Sequence, residues 1–388
     1  MKKEDREVIA MNVIRVEEML EKLRMVEDPR RQWGNLRHLL SEILFICICA
    51  IISKMEDIDG IVLFAQERKE WLRDYLELKN GVPSYSTFER VLRLIDPTTL
   101  EKFYQEWIGG LRGTKAGQIS IDGKTIRGAG AIQKIHMVSA WAREDGLCLG
   151  EVRTDEKSNE ITAIPELLEM IDVGGTVVSI DAMGCQKEIA AKIIERRADY
   201  ILALKENQPT LYKGTLEYVD WVEKDRPSDI IYDRWVSRVE KEHGRIERRT
   251  VTVCECKDWP GVTDEWASIH SLIRYDCTRE CKGEKTKSTR YYISSLQDTT
   301  AETMAHFLRG HWSIENQLHW VLDVTFKEDA SMVRMNHAPE NLSILRKVAL
   351  SLLKTTPSAK KTSLKGLMVR AALNPDFLES VLFAQDSK

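Results

Sequence analysis

The order of strand and helix signals between residues 118 and 207 is the feature that most constrains this fold. Three strand-like segments come first, ISIDGKTIRGAG, HMVSAWARED and CLGEVRTDE, and a hairpin turn at Asp145-Gly146 joins the last two. The helical segment ITAIPELLEMID, the buried strand VVSIDAMG, the amphipathic helix CQKEIAAKIIERRAD and the strand YILALKENQ follow. This order predicts a mixed sheet whose first three strands are antiparallel and whose next two are joined through helices.

That arrangement is the α/β core of a ribonuclease-H-like fold, and helical sequence lies on both sides of it. Residues 1–112 read as helices and predict an all-helical N-terminal domain, with a second domain at 113–388. Within the second domain, short strand-like segments between about residues 211 and 298 predict a β-rich insertion, and a basic helical tail follows it. Around Asn80–Ile95 a Gly-containing turn precedes a helix, which fits a helix-turn-helix and equally a plain helical hairpin.

Net charge gives only weak guidance on partners. The net charge of −4 argues against a strongly basic nucleic-acid-binding protein, although nine lysines and arginines stand against four acids between Ser331 and Lys388. Such a basic segment is compatible with phosphate binding and also with an ordinary solvated surface. The most apolar run, Leu39–Ile52, is shorter than the roughly 20 residues of a membrane span, so it predicts a buried helix and no membrane partner.

The cysteines favour a reducing environment. The chain has eight cysteines, and its N-terminus lacks an apolar signal core, so we expect a cytoplasmic protein. Cys254-x-Cys256 and Cys277-x3-Cys281 have poor spacing for a zinc ribbon or finger and lie in strand-like sequence. Buried or half-buried thiols are therefore favoured over a zinc site.

Two aspartates share one local setting. Asp122 follows the strand residues Ile119–Ile121, Asp181 follows Val177–Ile180, and a small residue comes after each. A carboxylate at the end of a buried strand is unfavourable unless something positive neutralises it. Two such carboxylates on neighbouring strands would repel each other unless a divalent cation lies between them. Either aspartate could instead only cap a turn or a helix.

A third acid is expected from the segment RGHWSIENQLHW, which predicts a helix. Glu315 lies four residues after His311 and four before His319, so these three side chains share one face. Trp312 and Asn316 form an adjoining stripe, although aromatic and histidine residues also occur where a helix merely packs on a sheet. Glu328 and Asp329 are alternative third acids.

Several long blocks in fixed order carry a family resemblance over nearly the whole chain. They are DPRRQWGNLRHLL, NGVPSYSTFERVL, DGKTIRGA, KSNEITAIPELLEMID, VVSIDAMGCQKEIA, ADYILALKENQPTL and RGHWSIENQLHWVLDVTFKEDASMVR. With these blocks the chain resembles the DDE transposases of bacterial insertion sequences, in the branch of the H-repeat-associated proteins. The resemblance implies a ribonuclease-H-like fold on which Asp122, Asp181 and Glu315 hold two Mg²⁺ or Mn²⁺ ions.

The same resemblance implies cleavage and transfer of DNA strands at the ends of the element. It implies double-stranded DNA as partner and a homodimer in the active complex, with the N-terminal domain binding DNA ends or pairing subunits. The candidate DNA-binding residues are Lys124, Arg127, Lys205, Asn207, Arg309, His311, Trp312, Asn316 and Arg334. A nuclease that no longer transposes, a catalytically inactive DNA-binding relative and a phosphohydrolase of other substrates are the alternatives.

One departure from the family pattern concerns the strand end. Related transposases often carry Tyr-x2-Arg-x3-Glu-x6-Lys around the glutamate. With Glu315 in the Glu place, the other three places hold Leu308, His311 and Leu322. The phosphate-gripping side chains of that pattern are therefore replaced here, which affects strand-end binding more than the metal site.

Overall fold

The computed structural model describes most of the chain. The described residues are 17–30, 36–112, 117–127, 135–154, 160–242, 244–257, 259, 262–357 and 362–383. The Gly-rich end expected for the first strand, at residues 128–130, lies outside them, as do Lys360, Lys361 and Lys388 of the basic tail.

Helices precede the sheet, as the sequence predicts. They are α1 (Leu40–Ile52), α2 (Ile58–Glu67), α3 (Lys69–Arg73), α4 (Tyr85–Leu94) and α5 (Pro97–Leu111). Every residue of α1 is buried, and the Glu42 carboxylate within it accepts a hydrogen bond of 3.1 Å from the Leu78 N–H. Residues 74–84 separate α3 from α4, which is longer than the three or four residues that a helix-turn-helix uses. The region around α4 is therefore better described as a helical hairpin.

The central strands have the predicted order and directions. They are β1 (Gly117–Ile126), β2 (Ile135–Ala142), β3 (Leu147–Thr154), β4 (Thr176–Ile180) and β5 (Asp199–Leu204). Their order in the sheet is β3-β2-β1-β4-β5, antiparallel from β3 to β1 and parallel from β1 to β5. The crossover helices α6 (Glu160–Met170) and α7 (Lys187–Glu195) allow the parallel pairs, as such strands require. The ribonuclease-H-like prediction is confirmed.

The insertion extends this sheet instead of forming a separate one. It contains α8 (Pro209–Asp225), β6 (Tyr232–Val236), β7 (Glu240–Glu242), β8 (Arg245–Glu255), β9 (Ser271–Cys281) and β10 (Glu284–Ser294). β10 pairs antiparallel with β5, so ten strands form one continuous sheet. The first part of the expected β-rich segment is helical, because α8 has an apolar face that packs against β9 and β10.

Helices follow the sheet, and two segments of them are π-helical. The elements are α9 (Ala301–His311), the π segments Glu315–His319 and Val321–Thr325, α10 (Ala338–Thr355), α11 (Leu364–Leu373) and α12 (Pro375–Phe383). Helix α10 is buried over most of its length and packs on α1, α4 and α5. Arg346 and Lys347 of the expected basic tail are almost fully buried within it, so these two cations are not available to phosphates.

The helices before and after the sheet share one hydrophobic core with it. The buried residues of α1, α5, β2 and α10 belong to the same apolar cluster. A domain boundary near residue 112 stays a prediction, but the packing of α10 on α1 indicates that the N-terminal helices stabilise the rest of the chain. No helix among the described residues is long and apolar enough to cross a membrane.

The two cysteine pairs lie apart in the sheet. Cys254 stands opposite Leu272, while Cys277 stands opposite Arg249. Five residues of strand therefore separate the two pairs, a distance of about 17 Å at 3.4 Å per residue. Cys254 and Cys256 are buried and Cys277 is half-buried, as expected for thiols, whereas Cys281 is exposed, because it lies at the end of β9 next to the turn into β10.

Candidate active site

The parallel pairing of β1 and β4 brings the two aspartates to the same level. The last paired residues are Ile121 and Ile180, so Asp122 and Asp181 come next on adjacent strands. Asp181 directly follows β4, as expected. Asp122 does not end its strand, because β1 continues to Ile126 through its pairing with β2. Its position at the edge of the parallel pairing, and not the end of a strand, is what exposes this carboxylate.

Local hydrogen bonds fix the segment after Asp181. The Asp181 carboxylate accepts a hydrogen bond of 3.0 Å from the Met183 N–H and caps a short 3₁₀ helix. The Asn207 amide donates a hydrogen bond of 2.6 Å to the Ala182 carbonyl oxygen. Asn207 therefore holds this turn in place, and its role in DNA binding stays a prediction.

Glu315 approaches Asp122 from a widened helical turn. It opens the first π segment, and a π bulge inside a helix is frequent at functional sites. The His319 Nδ1 lies 3.1 Å from a Glu315 carboxylate oxygen and 3.7 Å from an Asp122 carboxylate oxygen. Ligand atoms of Asp122, Glu315 and His319 all lie within 4.8 Å of one another.

All three predicted acids line one cavity of about 300 Å³, called here the acid cavity. Lys205, His311 and Trp312 line the same cavity. His311 is half-buried, and its Nδ1 lies 3.0 Å from the Ser179 hydroxyl oxygen. The acids thus converge from β1, β4 and the π segment, three separate parts of the sequence.

Burial of the two aspartates opposes their ionisation. Burial raises the pKa of Asp122 to about 6, the nearby His319 acts to lower it, and the neighbouring charge of Asp181 raises it further. The pKa of Asp181 is also raised, first by burial and then by Glu160. The hydrogen bond from His319 lowers the pKa of Glu315. Burial lowers the pKa of His311 to about 4, so this side chain is uncharged at neutral pH and offers a phosphate no positive charge.

The residues of the acid cavity fit a hard divalent cation. Among the described residues, neither aspartate forms an ion pair with a lysine or an arginine. Carboxylate oxygens are the ligands that Mg²⁺ prefers, and Mn²⁺ also accepts an imidazole nitrogen such as that of His319. The raised pKa values are what carboxylates show when burial is not balanced by a cation of the protein.

The alternative third acids lie outside the acid cavity. Glu328 is buried and pairs with Lys124 and Arg346. Burial would raise its pKa, but Lys124, Arg346 and Lys347 hold that pKa at about 2. The Asp329 carboxylate accepts a hydrogen bond of 3.1 Å from the Arg127 N–H. Both acids are thus occupied by partners within the protein.

The candidate DNA-binding residues fall into three groups. Lys124, Arg127, Asn207 and Arg334 do not line the acid cavity, and the Lys124 ammonium group is held by Asp323 and Glu328. Arg309 and Asn316 lie beside the cavity and line a neighbouring cleft, which Trp312 shares. Only Lys205, His311 and Trp312 of the predicted set line the acid cavity itself.

The sequence analysis missed a buried acid beside the aspartates. Glu160, the first residue of α6, is buried, and its carboxylate lies 2.6 Å from His136 Nε2. This pair packs so closely under β1 that a Cβ atom at Gly123 would lie 2.4 Å from both side chains. A larger residue after Asp122 would therefore clash with the Glu160–His136 pair, so a glycine is required there. In the sequence, the available signal for this buried acid was its place at the start of the helix that follows β3.

Comparisons with known proteins agree with this architecture. The family model described as the transposase DDE domain matches residues 88–352, and the DDE_Tnp_1-associated model matches residues 20–108. YncI of Escherichia coli O157:H7 is 40% identical over 381 residues, 95% of each chain. The H repeat-associated YhhI of E. coli K12 is 37% identical over 377 residues, 95% of this chain and 98% of that one. The chain belongs to the DDE transposase family, in its H-repeat branch.

A piggyBac transposase, solved as a synaptic complex with hairpin DNA, is a distant structural likeness. Its TM-score is 0.44 at 10% identity, covering 96% of this chain and 80% of that one.

Proposed function

We propose that this protein cleaves DNA at the ends of its own insertion sequence and joins those ends to new DNA, in a reaction that depends on divalent metal. The observation that carries the proposal is the convergence of Asp122, Asp181 and Glu315 on one cavity. Burying Asp122 and Asp181 without an ion pair to a lysine or arginine among the described residues is unfavourable for folding, so a role for them in binding a cation explains their presence.

Asp122, Asp181 and Glu315 would hold two Mg²⁺ or Mn²⁺ ions. When bound, such ions supply activation of the attacking oxygen and stabilisation of the charge that develops on the leaving oxygen. His319 is a positioning residue, because its contact with both Glu315 and Asp122 fixes these carboxylates relative to each other. The Glu160–His136 pair supports the backbone of β1 at Gly123 from below.

The substrate of the proposed reaction is double-stranded DNA, bound by an active homodimer. Lys205 lines the acid cavity and can contact a phosphate there, while Trp312 is half-exposed at the cavity edge and can stack on a base. In the N-terminal region the exposed Arg37 and Arg90 line a small cleft beside α4, together with Arg30, which is buried and pairs with Asp28. This cleft is the part of the N-terminal region that best fits contact with element ends.

The test is incubation of the full-length protein with DNA that carries the flanking ends of its own gene, with and without Mg²⁺ or Mn²⁺. Metal-dependent nicks at the ends and joined products are expected for the wild type. Glu315→Gln should abolish both, whereas Glu302→Gln, an exposed acid of the preceding helix, should remain active.

Each other outcome has a clear meaning. Cleavage without joining would indicate a nuclease, and selective binding without cleavage would indicate an inactive DNA-binding relative. Neither binding nor cleavage with either ion would refute the proposal.

A further inference from the structure

A second cleft, called here the arginine cleft, lies beside the acid cavity on the inserted strands. Its volume is about 520 Å³, and five arginines line it together with a single carboxylate, Glu247. The five are Arg245, Arg249, Arg279, Arg290 and Arg309. Four of them come from strands β8 to β10, and Arg309 comes from α9.

The strand register explains why these side chains gather on one face. Glu247 stands opposite Arg279, and two residues further along Arg249 stands opposite Cys277. A third row, again two residues further along, places Tyr275 opposite Arg290. Residues two apart on a strand point to the same face, so the three rows form one surface about 14 Å long at 3.4 Å per residue.

The arginines of this surface form ion pairs with acids, but the acids do not neutralise all of their positive charge. The carboxylate of the buried Glu247 forms salt bridges with Arg249, with Arg279 at 2.6 Å and with Arg245 at 3.4 Å. Glu240, at the edge of the cleft, pairs with Arg249 at 2.7 Å and Arg309 at 2.9 Å. Five arginines against these two acids leave three positive charges. A guanidinium has five N–H donors, so arginines that share a carboxylate keep donors free for another anion.

The arginine cleft continues into the acid cavity. Arg290 and Trp312 line both, and the Arg290 guanidinium lies 5.1 Å from the centre of a Trp312 ring. Asn316, one residue after Glu315, lines the arginine cleft. A strand whose reacting phosphate lies at the three acids can therefore run past Trp312 onto the arginines, because the two clefts share Arg290 and Trp312.

We propose that the arginine cleft binds the phosphate backbone of the DNA strand that leaves the acid cavity, separated from its complement. The proposal rests on the proposed function, because it assigns the path of that same substrate. A cleft lined by arginines on a flat sheet face offers bidentate donors to phosphates. Trp312 at the junction supplies the aromatic surface on which an unpaired base stacks. The cleft also compensates for the missing arginine and lysine of the family pattern around Glu315.

The experiment compares two charge-matched double variants in binding to element-end DNA with a single-stranded extension. Arg279→Gln with Arg290→Gln removes two charges from the cleft. Lys285→Gln with Lys287→Gln removes two exposed charges from the opposite face of the same ribbon. The dissociation constant is measured over a range of KCl concentrations, without divalent metal, and melting temperatures confirm that each variant is folded.

Each phosphate contact on a single strand contributes about 0.7 to the slope of log affinity against log salt. The arginine pair should therefore lower the slope by about 1.4, while the lysine pair should leave it at the wild-type value. Equal slopes for the two pairs would overturn the proposal. Should the double variant fail to fold, Arg290→Gln alone is measured, with an expected decrease of about 0.7.

Neutral methylphosphonates placed in the extension locate the contact on the DNA. If the arginines contact those phosphates, the methylphosphonates and the arginine variant remove the same interaction. The loss of affinity with both changes together should then be smaller than the sum of the two separate losses. Additive losses would mean that the arginines act elsewhere. A wild type that fails to prefer element ends over unrelated DNA contradicts the proposed function, whereas a wild type that cleaves ends but shows additive losses contradicts the arginine cleft only.

Discussion

Two clusters of charge meet on β1 and differ in how their acids are balanced. In the acid cavity, Asp122 lies beside Asp181 and Glu315, and its carboxylate contacts His319 and the Gly123 N–H. Two residues along the same strand, Lys124 belongs to an ion-pair network with Asp323, Glu328 and Arg346. Alternate residues of a strand point to the same face, so the two clusters are neighbours.

The difference separates a functional arrangement from a structural one. In the ion-pair network, cations hold the pKa of the buried Glu328 near 2, well below its usual range. In the acid cavity, burial raises the pKa of Asp122 to about 6, and no lysine or arginine of the described residues forms an ion pair with it. Balanced charges stabilise the position of chain segments, whereas unbalanced acids are expected where a protein binds a cation from solution. The following predictions test that division.

The largest expected effect comes from Asp181→Asn. The amide keeps the size of the side chain but removes a negative charge from the acid cavity, so metal affinity falls. Cleavage should drop by more than the roughly 10–100-fold that loss of an outer-shell partner produces. DNA binding should persist or tighten, because a carboxylate near the phosphate repels it in the absence of metal. Gel-shift and nicking assays on the same DNA measure both.

Asp122→Asn and Glu315→Gln should behave in the same way as Asp181→Asn. A matched change in the other cluster, Glu328→Gln, should keep metal-dependent cleavage per folded molecule. Robust cleavage by Asp181→Asn, or its loss only with Glu328→Gln, would reverse the assignment of the two clusters.

Glu328→Gln should instead reduce stability. Removing this carboxylate leaves the buried Arg346 and Lys124 without one of their partners. Breaking one side of a buried ion pair is expected to lower the free energy of unfolding by about 3–5 kcal/mol. Urea unfolding of the variant and the wild type measures this difference. A variant as stable as the wild type would show that the network contributes little to the fold.

Asp122→Asn should increase stability when divalent metal is absent. The pKa of Asp122 is raised from 3.8 to about 6, so folding loses stability as the pH rises through this range. At pH 8 the neutral amide avoids that loss, which we expect to be about 1–3 kcal/mol. Thermal melting in EDTA should show the gain. Mn²⁺ should then stabilise the wild type and reverse the order, since it binds the folded wild type more tightly.

Much of the fold and the three acids could be predicted from the sequence, because the signals are local. Strand and helix periodicities fix the order of the core elements. Helical spacing places His311, Glu315 and His319 on one face, and the contact of Glu315 with His319 agrees with that. The assignment of roles to these residues nevertheless came from the family resemblance and stays a proposal.

The features that could not be predicted depend on contacts between distant segments. Glu160 meets His136 only after α6 packs on β2, and Arg279 meets Glu247 only in the register of β8 with β9. The burial of Arg346 and Lys347 depends on Glu328 and Glu151 lying opposite them. A count of charges along the chain does not show which cations will be buried in ion pairs. The sequence analysis therefore predicted a basic tail that includes these two residues.

The smallest expected effect concerns Glu101, which directly tests the comparison between balanced and unbalanced acids. It lies in α5 beside Glu151, and the single ammonium group of Lys347 pairs with Glu151. Burial, and then the charge of Glu151, raise the pKa of Glu101 to about 8. Unlike Asp122, Glu101 does not line the acid cavity, so a proton and not a metal ion should balance it.

Glu101→Gln imitates the protonated acid and keeps the oxygen that accepts a hydrogen bond of 3.1 Å from the Glu151 N–H. A raised pKa means that the wild type loses stability as the pH rises from about 5 through 8, because the folded state must keep a proton that the unfolded state releases. The stability of the variant relative to the wild type should therefore grow by about 1–2 kcal/mol over this range. Urea unfolding of both proteins at pH 5, 6.5 and 8 measures the difference, and Mg²⁺ should leave it unchanged. A difference that is constant with pH would contradict the raised pKa of Glu101. A difference that Mg²⁺ removes would mean that Glu101 binds metal although it lies outside the acid cavity.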